Sequence, residues 1–254
     1  MPHLTAFTDL PYSDHHPRCR LDLVRPAEGK PAPLVLMIHG GGWAAGERTQ
    51  FLPHCVRLAE AGFAAATLGY RLVPDAVWPE IGLDVARGAA FLKAREKEFG
   101  IDASRAVTFG SSAGGHLALV LQALGPGWVK AGKVGAQPQI IGVVAQCPAI
   151  KLPVIKGPAA TQAQLAGNHQ PEEYSPHAFD LKLFANVLVI HGDADELIPL
   201  DDSKEFVRRL SEHGVAACLE VLPGVQHGFG YQLHNEPARK GLELGIEHLR
   251  KCLT

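Results

Sequence analysis

Residues 106–116 read Ala-Val-Thr-Phe-Gly-Ser-Ser-Ala-Gly-Gly-His, and this stretch decides the fold. The apolar run 106–109 predicts a short buried strand, and 113–124 (AGGHLALVLQAL) predicts a helix. Between them lies Gly110-Ser111-Ser112-Ala113-Gly114, a Gly-x-Ser-x-Gly pentapeptide centred on Ser112. Glycine and serine are common, so the pentapeptide alone carries little weight. Set between a strand and a helix, it describes a tight turn that lifts the Ser112 hydroxyl above a sheet edge. Small residues at Gly110 and Gly114 suit such a turn, and Ser112 stands near the positive end of the following helix. The plain alternative is a glycine-rich helix entry capped by serine. A phosphate-binding loop fits poorly, because no Gly-Lys-Ser/Thr follows.

Outward from this turn, strand-like and helix-like stretches alternate. Residues 34–38, 63–68, 140–146, 187–190 and 217–222 read as buried strands. Residues 51–61, 81–99, 200–213 and 237–251 read as helices, with Gly62 and Gly100 as stop signals after the first two. Continuously apolar strands alternating with helices predict an α/β fold: one domain over 1–254, with a mostly parallel sheet and helices on both faces. Residues 20–24 (RLDLV) alternate polar and apolar, which predicts an antiparallel edge strand and makes it the first strand of the chain. Residues 148–186 show no strong period and are broken by Pro153, Pro158, Pro171 and Pro176; a small lid or excursion between two strands is expected there. Sheets of this kind bind ligands beyond the carboxyl ends of their strands, so chemistry is sought in the loops that follow strands.

Three such loops stand out. His39-Gly40-Gly41-Gly42-Trp43 follows the strand 34–38. Consecutive glycines let backbone N–H groups turn toward a ligand, and fixed N–H donors are what a developing oxyanion needs. Gly41 and Gly42, with Ala113 as a third, are the expected donors. The loop after 187–190 reads His191-Gly192-Asp193-Ala194-Asp195-Glu196-Leu197-Ile198-Pro199, and the loop after 217–222 reads Pro223-Gly224-Val225-Gln226-His227-Gly228-Phe229. A serine hydroxyl is a poor nucleophile without a base, and the base needs an orienting acid. These loops supply both, with Asp193 and Asp195 both candidates for the acid.

The segments HGGGW (39–43), YRL (70–72), GSSAGGH (110–116), HGDADELIP (191–199) and HGF (227–229) together resemble the α/β-hydrolase superfamily, within its HGGG-type esterase/lipase group. The resemblance lies closest to the compact branch of feruloyl- and acetyl-esterase-like enzymes, related to kynurenine formamidases. It implies that Ser112 is the nucleophile, His227 the base and Asp195, rather than Asp193, the acid. It also implies an oxyanion hole at Gly41, Gly42 and Ala113, no metal or organic cofactor, and hydrolysis of short-chain or small aromatic carboxylic esters. An arylformamidase or a polysaccharide-linked acetyl or feruloyl esterase would use the same residues. A binding protein without catalysis is disfavoured, because all three triad members are present. His39, His116 and His191 are expected to be structural or pocket-lining, and Arg71 to pair with an acid such as Asp84. The short stretch before the first expected strand leaves no room for the N-terminal cap of longer relatives, and a rather open pocket is expected. Its expected boundaries are the N-terminal segment, Trp43, Trp78 and the 148–186 excursion, with Trp43, Trp78 and Ser111 contacting substrate.

Composition narrows the partners. The chain has 254 residues, 46% hydrophobic and 20% charged, which is enough apolar material for a substantial core. A formal net charge of −2 gives no broad basic field for nucleic acid. The most apolar stretches fall short of the roughly 18 residues that suggest a bilayer span, and no secretory signal pattern opens the chain. The five cysteines are scattered without metal-type spacing, which suits free thiols in a reducing cytoplasm. His15 and His16 are adjacent and expected at the surface rather than in a metal site. The expected partner is a small-molecule ester, with no nucleic acid and no membrane; assembly as a homodimer is left open.

Overall fold

The computed structural model describes residues 3–154 and 156–253. Met1, Pro2, Ile155 and Thr254 belong to the expected domain but lie outside the described residues. In chain order the main elements begin with strands β1 (Leu4–Pro11), β2 (Arg20–Pro26) and β3 (Ala32–Ile38), helix α1 (Leu52–Glu60) and strand β4 (Ala64–Leu68). Helices α2 (Glu80–Ala94) and α3 (Glu96–Phe99), strand β5 (Ile101–Ser111), helix α4 (Ala113–Lys130) and strand β6 (Gln139–Gln146) follow. The chain ends with α5 (Ala159–Ala166), β7 (Val187–Gly192), α6 (Leu200–Glu212), β8 (Ala217–Leu222) and α7 (Glu236–Leu253).

The eight strands form one sheet in the order β1-β2-β4-β3-β5-β6-β7-β8. From β4 to β8 all pairings are parallel, while β1 and β2 run antiparallel. This is the expected α/β architecture. Its physical cause is visible along single strands, where alternate residues enter different cores. Leu34, Leu36 and Ile38 pack on one face with α2, α4 and α6, while Val35 and Met37 pack on the other with α1 and α7. With both faces covered, few positions of the inner strands are free to be polar, which is why those strands read as nearly continuous apolar runs. Removing one such side chain, for example by Phe109→Ala, would cost about 3–5 kcal/mol.

The sheet also positions the loops. From β3 the chain steps outward to β4 and then returns to β5 on the other side of β3. At this reversal the carboxyl ends of β3 and β5 lie side by side, with Ile38 in register with Gly110. The HGGGW loop and the Ser112 turn therefore leave the sheet as neighbours, at the kind of crevice where such sheets bind ligands.

Several expected boundaries are corrected. The antiparallel strand over 20–24 exists but is not the edge. β1, which was not expected, pairs outside it. β1 is mostly half-buried or exposed, so its sequence carries little of the apolar pattern that marks an inner strand. The helix expected over 81–99 breaks at Arg95, whose guanidinium stacks on Phe91 at 4.1 Å. The helix expected to stop at Leu124 continues through Pro126 to Lys130, carried by Trp128 packing on Trp78 with ring centroids 6.0 Å apart. The excursion is present, but it contains a helix, α5, and its Leu165, Tyr174, Phe179 and Phe184 are buried in the main core.

Candidate active site

At the end of β5 the backbone of Ser112 takes φ 56° and ψ −120°, and α4 starts at the next residue. For a residue with a side chain this is a strained conformation of the kind concentrated at functional sites. The flanking glycines are required by close approach. A Cβ on Gly110 would stand 2.2 Å from the Gly114 carbonyl oxygen, and one on Gly114 would stand 2.0 Å from that of Ile38. The Ser112 N–H donates to the Gln146 carbonyl at 2.8 Å, which ties the turn to the end of β6.

Ser112 Oγ lies 2.8 Å from His227 Nε2, and His227 Nδ1 lies 2.7 Å from Asp195 Oδ2. An ionised carboxylate only accepts, so Nδ1 carries the proton and Nε2 accepts from the serine hydroxyl. Asp195 is held on all sides. Its Oδ1 accepts the N–H groups of Leu197 and Ile198, both at 2.9 Å, and its Oδ2 also accepts from His191 Nε2 at 3.1 Å. Burial alone would raise the Asp195 pKa, but the hydrogen bonds from His191, His227 and the Ile198 N–H outweigh it and hold the carboxyl well below its ordinary range. Burial would likewise lower the His227 pKa, yet Asp195 and the nearby Cys147 sulfur stabilise the imidazolium and raise it. Asp193 does not reach the histidine: its Oδ1 accepts the Gly224 N–H at 2.6 Å, bracing the loop that carries His227.

The HGGGW loop curls beside Ser112, with Gly41, Gly42 and Trp43 all at positive φ (110°, 59° and 60°). Among the described residues no hydrogen bond engages the N–H groups of Gly41, Gly42 or Ala113. The loop is held from behind. His39 stacks on Tyr70 at 4.3 Å, the Tyr70 hydroxyl donates to the His39 carbonyl at 2.7 Å, and Arg18 donates to the Gly46 carbonyl. Gly41, Gly42, Trp43, Ser112 and Ala113 line one side of a cavity of about 120 Å³. Ala149, Val154, Gly157, Pro158, Thr161 and Gln162 of the excursion, with Leu197 and Ile198 of the Asp195 loop, form most of the remaining lining.

The BD-FAE family model matches residues 21–210 of this chain. The chain belongs to the BD-FAE family. Among curated relatives, "Esterase LipC" of Mycobacterium tuberculosis is 30% identical over 217 residues, covering 79% of this chain and 54% of that protein. "Ethyl acetate hydrolase" of Pseudomonas putida is 26% identical, covering 91% of this chain and 78% of that protein. The BD-FAE chain spans about half the length of the first of the curated relatives it matches (49–57% for three mycobacterial proteins). Esterase B of Lactobacillus rhamnosis superposes with a TM-score of 0.83 at 23% identity, covering 98% of this chain and 84% of that one. A truncated carbohydrate esterase from gut microbiota superposes at 0.80 with 22% identity and covers 96% of each chain. At these identities the superpositions show the α/β-hydrolase fold alone. Among the described residues no helix is long and apolar enough to cross a membrane.

Most of the expected site residues of this BD-FAE chain meet at one place: Ser112, Asp195 and His227 in one hydrogen-bonded chain, and Gly41, Gly42, Ala113 and Trp43 around the cavity. Two do not. Ser111 is fully buried, with its Oγ 3.7 Å from Cys147 Sγ, because it ends β5 and points away from the cavity. Trp78 is buried between Trp128 and Tyr174 instead of standing at a rim. None of the described residues of the N-terminal segment lines the cavity: Leu4–Pro11 form β1 at the far edge of the sheet, and Arg18 braces the glycine loop from behind. Arg71 pairs with Asp84 at 2.7 Å as expected, and His16 lies toward Asp75 at the surface. His116 accepts from Trp43 Nε1 at 3.3 Å and donates to the Tyr174 carbonyl at 2.6 Å; burial pushes it down to about 4, which keeps it neutral.

Sequence reasoning missed four contributors. Ser203 on α6 lies 2.8 Å from His191 Nδ1 and so extends the Asp195 network. Gln162 and Val154 wall the cavity, although nothing in their local pattern marks them. Cys147, at the end of β6, sits beside the triad. Its sulfur, a His227 nitrogen and an Asp195 oxygen lie within 4.8 Å of one another, a donor set that could take a soft divalent cation. The adjacency of all four to motif loops is tertiary and has no counterpart in residue spacing.

Proposed function

We propose that this protein is a serine carboxylic-ester hydrolase acting on short-chain or small aromatic esters. The observation that carries the reading is the Ser112–His227–Asp195 hydrogen-bond chain opening directly onto a small apolar cavity rimmed by unengaged backbone N–H groups. Ser112 Oγ attacks the acyl carbon while its proton passes to His227 Nε2. Asp195 holds the imidazole with Nδ1 protonated and stabilises the imidazolium that forms. The N–H groups of Gly41, Gly42 and Ala113 receive the oxyanion, and loss of one such donor costs about 10²–10³ in kcat in the best-studied case. The alcohol departs with the proton from Nε2. Water then attacks the acyl-enzyme by the same route, releasing the acid and restoring the serine.

The cavity supports the short-chain preference. At about 120 Å³ it is well below the roughly 300–1,000 Å³ of ordinary ligand pockets, which suits a small acyl group. The relatives' printed names, esterases and an ethyl acetate hydrolase, support the same chemistry. Free cysteines at all five positions fit a reducing cytoplasm. The test is a fluorophosphonate probe with peptide mapping, together with turnover of p-nitrophenyl esters. Label on Ser112, and loss of both label and turnover in Ser112→Ala, are expected. Label elsewhere, or a rate maximum at a long-chain ester, would refute the reading.

A further inference from the structure

A second cavity, of about 420 Å³, lies on the outer side of α5. It is lined by Pro153, Ala159, Ala163, Ala166, His169 and Tyr174 among others, a mostly apolar set. Val154, Gly157 and Gln162 line both this cavity and the one over Ser112, so they form the wall between the two. Neighbouring positions of α5 split across that wall, with Thr161 facing the inner cavity and Ala163 the outer. Gln162 is nearly buried, and its amide is engaged at both ends by one residue. Nε2 donates to the Val154 carbonyl at 2.9 Å, and Oε1 accepts the Val154 N–H. The loop closes on this amide tightly enough that a Cβ on Gly157 would stand 2.7 Å from Gln162 Nε2. These bonds fix the side chain in the wall, and it is the bulk so placed that closes the wall to a chain growing from the Ser112 side.

We propose that Gln162 is a specificity-determining residue: its side chain ends the acyl pocket at short chains by separating it from a second apolar cavity that would otherwise continue it. This role rests on the ester-hydrolase reading above. Without the wall, methylenes beyond the first few would enter space lined by Ala159, Ala163 and Ala166. Each methylene buried there should improve kcat/KM by roughly fourfold, the equivalent of about 0.8 kcal/mol.

The test uses the whole protein with p-nitrophenyl acetate and octanoate, in the wild type and in Gln162→Ala, Gln162→Leu and Val154→Ala. In Gln162→Ala the octanoate-to-acetate ratio of kcat/KM should rise about tenfold or more. Val154→Ala thins the same wall without touching the amide and should raise the ratio by a smaller factor. Gln162→Leu breaks both amide hydrogen bonds but keeps the bulk, and should leave the ratio unchanged. If Leu and Ala raise it equally, a loosened excursion rather than a removed wall is responsible, and the proposal is overturned. An unchanged ratio in both Gln162→Ala and Val154→Ala, with acetate turnover intact, overturns it as well. If Gln162→Ala does not fold, Val154→Ala decides alone. A wild type that neither turns over acetate nor labels at Ser112 removes the ester-hydrolase reading itself, and this role with it.

Discussion

His191 and His227 donate to the same oxygen, Asp195 Oδ2, at 3.1 and 2.7 Å. The second partner of His191 Nε2 is the Ile198 carbonyl at 3.2 Å, another acceptor, so Nε2 must carry a proton and Nδ1 accepts from the Ser203 hydroxyl. His191 thus competes with His227 for the charge on one oxygen.

Removing that competition should show in the pH profile. His191→Asn or Ser203→Ala leaves Asp195 freer to stabilise the imidazolium of His227. The acid limb of kcat/KM should move to higher pH in both variants, further in His191→Asn. A limb that stays in place while stability falls would make His191 structural only.

The two aspartates of one loop should separate cleanly. Asp195→Asn should cost about 10⁴ in kcat, since an amide there favours the wrong tautomer of the base. Asp193→Asn should cost far less, because Asp193 braces Gly224 and not the imidazole. Steady-state rates on acetate esters give the comparison, and the reverse ranking would contradict the assignment.

Activity and stability should diverge with pH. The base must be neutral to act, and Asp195 and Cys147 raise its pKa above the usual ~6.5, so kcat/KM should climb through an apparent pKa on the alkaline side. A raised native pKa contributes stability in full below the unfolded value and loses it as pH rises through the native one. The lowered Asp195 pKa works in the opposite direction, with its contribution present above ~3.9 and lost on acidification. Tm should therefore be highest between these limits and decline where activity still rises. In His227→Ala the alkaline decline should shrink; an unchanged decline would assign it to other groups.

Cys147 should make the site sensitive to thiophilic cations. Thiolate, imidazole and carboxylate are all ordinary zinc ligands, and here their atoms lie within 4.8 Å of one another. Zn²⁺ should inhibit ester hydrolysis by capturing His227 and Asp195. In Cys147→Ala, measured against its own uninhibited rate, the inhibition should weaken by an order of magnitude or so, as expected when one of three ligands is lost. Equal inhibition constants in the two proteins would place the zinc elsewhere.

The nucleophile turn, the glycine loop and the acid and base loops were legible because each is a local pattern attached to the end of an apolar strand. Asp195 over Asp193 needed the family resemblance, since both stand in the same loop and only the fold shows which one faces His227. The cavity's far wall was not legible. Val154, Thr161 and Gln162 line the cavity beside Ser112, in an excursion that Tyr174, Phe179 and Phe184 dock into the core. Trp78 and Ser111 failed for the same reason. Nearness to a motif suggested a rim, while packing against Trp128 and Cys147 put both inside.

The positive φ of Ser112 also limits which nucleophiles the turn can carry. Threonine offers the same hydroxyl and in other hydrolases does the same chemistry. Its second substituent on Cβ, however, makes this backbone region a severe outlier. Cysteine has serine's single branch and meets no such barrier. At position 112 the reaction would accept a serine, cysteine or threonine nucleophile, but the backbone admits only the first two.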